Sequence, residues 1–154
     1  MADEHLTDLA RGRKAAQRRA WDESFRAFSD AAAAGETLEP ADLEAWSTAG
    51  YLVGRVDTAL EAITAAHHAH VDDGRTSDAV RCGFWISHML VGRGDMAQAG
   101  GWMARCRRLI ANSSPTDERT VDYCDLFDSF RLIAAEGRYA EGIDIAARIV
   151  ESNR

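Results

Sequence analysis

Proline is nearly missing from this chain: Pro40 and Pro115 are the two in 154 residues. Long stretches without this breaker, rich in Ala, Leu, Arg and Glu, favour helix almost throughout. Cysteine is scarce and odd in number. Cys82, Cys106 and Cys124 are widely spaced and form no Cys-x-x-Cys, which argues against a disulfide framework or a zinc site. They fit small buried residues in a reducing cytosol. No segment approaches the roughly 18 apolar residues of a membrane span, and "MADEHLTDLARG" lacks the apolar core of an export signal. A cytoplasmic protein without membrane contact is therefore expected. Positive charge is short as well. Eighteen Lys and Arg against 25 Asp and Glu give a formal −7, the wrong sign for direct nucleic-acid contact. The sequence also holds no Gly-x-Ser-x-Gly, His-Glu-x-x-His or Gly-Lys-Ser/Thr, so neither an enzyme nor a cofactor is expected.

What is present is helical periodicity. Apolar residues recur at three- and four-residue spacing, and no segment alternates with period two. The punctuation predicts helices over about 4–18, 21–34, 40–53, 56–73, 76–92, 95–112, 117–136 and 139–152, with Pro40 and Pro115 as helix-start signals. The length suits one domain, 1–154. Four junctions resemble one another: "RRAWDESFRAFSDA", "GRVDTALEAITAA", "GDMAQAGGWMARC" and "GRYAEGIDIAARI". Each places an anchor after a tight turn (Trp21, Val56, Met96, Tyr139) and a small residue three positions on (Ser24, Ala59, Ala99, Gly142). A glycine closes the turn, and the small residue lets two helices approach. Arg18 and Arg19 stand where the first unit should have its turn glycine. A hairpin of this kind cannot bury its apolar face alone, so units stack. The expected fold is all-α, a solenoid of about four antiparallel hairpins at roughly 4–34, 40–73, 76–112 and 117–152.

The Gly-x-apolar-x-x-Ala-x-x-x-apolar spacing resembles the second helix of a tetratricopeptide repeat. "AWDESFRAFSDAAAAGET", "LEAWSTAGYLVGRVDTALEAITAAHHAH" and "RTSDAVRCGFWISHMLVGRGDMAQAGGWMARCRRLI" further resemble the TPR-like region of actinobacterial LuxR-type transcriptional regulators. In that family a helical-repeat module precedes a helix-turn-helix. This sequence ends at "ARIVESNR" without one, which implies a segment of a longer regulator or a freestanding relative.

The resemblance implies that first helices line a groove: Glu44, Thr48, Tyr51 and Leu52 from the second unit, Arg81, Phe84 and His88 from the third, Phe127 and Arg131 from the fourth. Aromatics beside arginines suit a carboxylate-bearing or aromatic peptide, or a partner domain. The alternative is that the aromatics are core between repeats. "HHAH" puts His67 and His70 at i, i+3 on one stripe, which is no metal signature, and no metal site is assigned. A small-molecule or metal sensor stays open as a second function class. The cluster "RGRKAAQRR" (11–19) reads as a solvated face against an acidic remainder. The apolar "IDIAARIV" (143–150) offers a possible homo-oligomer interface. Finally, "VGRGDMAQAGGWMARC" (91–106) contains Arg-Gly-Asp at an expected turn, followed by Gly100 and Gly101 in mid-helix. Two such glycines cost roughly 2 kcal/mol, and close packing by a neighbouring helix is the expected reason, with a partner as the alternative.

Overall fold

Most helix starts follow from local chemistry. Pro40 opens its helix at a position that has no intrahelical partner for an N–H, and a reciprocal capping box joins Glu39 to Asp42. Asp95 caps the amide of Gln98 at 3.0 Å, and Thr7 caps Ala10 at 3.2 Å. The computed structural model describes residues 7–113 and 117–152; Pro115 lies outside the described residues. Its helices are α1 (Asp8–Gln17), α2 (Trp21–Ala33), α3 (Pro40–Leu52), α4 (Val56–Asp72), α5 (Thr76–Gly92), α6 (Met96–Ala111), α7 (Glu118–Ala134) and α8 (Tyr139–Ser152). Among the described residues there is no strand. The protein is all-α, and its helices begin within a residue or two of the periodicity's limits except at the first, whose expected start lies outside the described residues.

The Arg-Gly-Asp triplet is spent on one helix junction. Arg93 ends α5, Asp95 caps α6, and Gly94 between them has φ +80°, a conformation that glycine adopts without a Cβ clash. The Asp95 amide donates back to the Leu90 carbonyl at 2.9 Å, closing a Schellman turn. The first hairpin solves the same problem with Arg19, the one non-glycine residue at positive φ (59°) among the described residues. Its place is the one where the repeat pattern lacks a glycine.

Two compact units are present, Met1–Ala69 and His70–Arg154. In the first, α2 packs on α1 and α3. Ion pairs reinforce it: Arg13 forks onto both Asp42 oxygens at 2.7 Å, joining α1 to α3, and Arg18 pairs with Glu23. The basic cluster is thus largely occupied by the protein's own carboxylates, since Arg11 also meets Asp8 and Asp30. In the second unit α7 packs on both α5 and α6. The Thr120 hydroxyl donates to Ser77 Oγ at 2.7 Å, Phe84 meets Tyr123, and Arg107 pairs with Asp128.

A buried serine ties each hairpin together. Ser47 donates to the Ala59 carbonyl at 2.8 Å, Ser87 to Ala99 at 3.1 Å, and Ser129 to Gly142 at 2.7 Å. In all three the serine is on the first helix and the acceptor is the small residue of the repeat. The first hairpin reverses the roles: Ser24 on α2 donates to Gly12 on α1 at 3.2 Å. A short hydroxyl reaches another helix's backbone only where no bulky side chain holds the two apart. A Cβ on Gly142 would stand 2.9 Å from the Ser129 carbonyl and 2.5 Å from Ile133.

Candidate functional site

In the second unit, two first helices present matching stripes. On α5 these are Phe84, His88 and Val91, spaced i, i+4, i+7 on one helical face. Forty-two positions later, α7 repeats the spacing with Leu126, Phe130 and Ile133. Ser87 and Ser129, the two hairpin-tying serines, stand in the same relation, so the stripes are equivalent positions of the repeat. Between them lies a cavity of about 340 Å³, with Phe127 and Ser129 completing its lining. Its surface is almost wholly apolar. Phe130 (45% exposed) and Leu126 (40%) stand at its mouth, while Phe127 (5%) is buried behind them. The His88 ring stacks on Phe84 and lies edge-on to Trp85, giving the rim a polar group.

Three of the groove residues expected from sequence, Phe84, His88 and Phe127, line this cavity. Arg81 and Arg131 do not. Arg81 donates to Asp78 on its own helix at 2.6 Å, and Arg131 is held by Glu136 and by Asp128 at 3.7 Å. Their guanidinium groups are therefore engaged at home rather than presented as carboxylate receptors. Phe127 and Arg131 are also one residue out of register with Phe84 and His88; the equivalents are Leu126 and Phe130. One residue is a 100° rotation on a helix, enough to turn Phe127 from rim to core. The missing walls had a sequence signal, since Ser87 and Ser129 set the offset between the stripes.

In the first unit, Glu44, Thr48 and Tyr51 are the repeat equivalents of Phe84, His88 and Val91, forty positions earlier. Glu44 is half-buried, Thr48 is exposed with its hydroxyl turned back to the Glu44 carbonyl at 2.9 Å, and Tyr51 and Leu52 are exposed. The same helix face is therefore polar here and apolar in the second unit.

Gly100 and Gly101 require a correction. A Cβ built at either would meet nothing within 4 Å, and Gly101 is exposed. Among the described residues no neighbouring helix packs there, because the small residue that faces α5 is Ala99, one position before Gly100 and fully buried. Beside the glycines, Gln98, Gly101, Trp102, Arg105 and Arg108 line a shallow hollow of about 250 Å³. The Arg105 guanidinium lies over the Trp102 ring, 4.7 Å from its centroid.

The other candidates divide between core and surface. His67 and His70 are buried, whereas His68 is exposed with its ring edge toward His67. All three cysteines are buried, and none of them is in a disulfide. Burial pushes the Cys106 thiol up to about 12 and raises Cys124 as well, the reverse of what a nucleophile needs. On α8, Ile143 and Val150 are exposed while Ile145 and Ile149 are half-buried. No described helix is long and apolar enough to cross a membrane. Compared with protein-family models, curated proteins and solved structures, the chain matches none significantly, so a functional reading rests on this geometry.

Proposed function

We propose that the chain is a non-catalytic interaction module, a short TPR-like solenoid whose first helices form a partner-binding face. The α5–α7 cavity takes an apolar or aromatic anchor from a peptide or partner domain. The observation that carries this reading is the paired stripe, Phe84–His88–Val91 against Leu126–Phe130–Ile133, enclosing about 340 Å³ of apolar space. An exposed phenylalanine and leucine at the mouth of such a space are costly unless something covers them. Burying one aromatic anchor of 150–250 Å² is worth roughly 4–6 kcal/mol before ordering costs. The likeness to LuxR-type regulators supports a regulatory role in transcription through protein contact, with no nucleic-acid contact by this segment. The working compartment is the cytoplasm.

The test replaces Phe130 with a photo-crosslinking phenylalanine analogue and illuminates the protein in native lysate. A polypeptide adduct, lost when Leu126→Asp charges the cavity mouth, is the expected result. Absence of any adduct from position 130 overturns the assignment.

The cavity's volume also falls within the range of small-ligand sites, which favours a second reading as a sensor of a small apolar molecule. Thermal-shift screening with aromatic and aliphatic compounds separates the two. A ligand that raises the melting temperature of wild type but not of Leu126→Asp selects the sensor.

A further inference from the structure

The outward face of α6 departs from its own repeat. Gly101, Trp102, Arg105 and Arg108 correspond to Glu61, Ala62, Ala65 and His68 on α4, and to Asp144, Ile145, Arg148 and Glu151 on α8. Only α6 combines a bare backbone position with an aromatic ring and two cations. The two glycines lower helix propensity and fill no tight contact, so internal packing does not account for them. Arg105 and Arg108 are exposed, and neither pairs with a carboxylate among the described residues. Arg107 between them is committed to Asp128 at 2.6 Å.

We propose that this face of α6 is a docking surface for an acidic helical segment of a protein partner, which lies across Gly101 and places carboxylates on Arg105 and Arg108. The two arginines are i, i+3 neighbours and so present their charges side by side. A carboxylate meeting Arg105 strengthens the cation already stacked on Trp102, while the Gln98 amide at the edge of the hollow is held by Asp95 at the start of the helix. The missing side chain at position 101 decides the kind of occupant. It is useful to a ligand whose own backbone comes close, as a helix does when it packs on another at a small residue. A phosphate backbone would use the arginines without needing the bare floor at Gly101. The surface is on a different helix from the apolar cavity's walls, so the two proposals stand or fall separately.

The probe is a fluorescein-labelled, alanine-based helical peptide with glutamates at i and i+3, titrated by fluorescence anisotropy. Its control carries glutamine at those positions. Wild type is expected to bind the glutamate peptide saturably and not the control, with affinity falling between about 20 mM and about 300 mM salt as the charges are screened. The pair Arg105→Ala and Arg108→Ala should weaken binding about tenfold, each exposed ion pair contributing a few-fold. Gly101→Leu should weaken it at least as much, with an unchanged or higher melting temperature because the added side chain enters open space. Four results overturn the proposal: no binding to wild type, equal binding of the control, full binding by Gly101→Leu, or duplex DNA displacing the peptide. Self-association lost on Trp102→Ala would also overturn it, by making a second copy the occupant.

Discussion

At the residue scale, glycines of identical composition have opposite meanings. Gly142 is buried where α8 crosses α7, and even a methyl group there would press on a carbonyl, an atom that cannot rotate away. Gly101 faces open space. Gly142→Ala should therefore destabilise the protein by about 1–3 kcal/mol through overpacking. Gly101→Ala should stabilise it by about 0.5–1 kcal/mol through helix propensity alone. Urea denaturation of the two variants beside wild type checks both signs, and equal signs would contradict the helix geometry. Sequence placed Gly142 correctly because its position recurs in the repeat. It misplaced Gly101 because a mid-helix glycine looks the same whether a helix or solvent lies beyond it.

Among elements, the join between α1 and α3 depends on one carboxylate. Burial raises the proton affinity of Asp42. The Arg13 fork, the Glu39 amide and the guanidinium charge outweigh it and hold the group below the usual carboxylate range. A lowered folded-state value means that the contribution is complete above the unfolded value and is lost as pH falls through the folded one. Asp42→Asn should cost roughly 1–3 kcal/mol at neutral pH. The gap between variant and wild type should start to narrow below about pH 4, near the unfolded value, and close only once the pH is below the lowered folded value. Chemical denaturation at several pH values reads this directly, and a gap independent of pH would show that the charge is irrelevant. The helices were legible because caps, turn glycines and periodicity are effects within a few residues of chain. The Arg13–Asp42 link, between residues twenty-nine positions apart, leaves no such local trace.

At the scale of the molecule, the second unit seals its cysteines as thoroughly as its apolar residues. With Cys106 pushed up to about 12, only about one thiol in ten thousand is ionised at pH 8. Cys82, Cys106 and Cys124 should therefore stay silent to Ellman's reagent in native buffer and react fully in denaturant. The rate of native labelling then measures local opening, and a fast-reacting thiol would refute the burial. The sequence by itself determined the all-α class, the helix boundaries and the repeat of small residues, because each depends on hydrogen bonds and dihedrals between near neighbours. Tertiary structure decided which stripe faces which. Leu126 and Phe130 line the cavity, and Phe127 is buried, because the rotation of α7 is set by its contacts with α5 and α6. The same logic left Gly100 and Gly101 bare: α6 turns Ala99 toward Ser87, and the next residues point away.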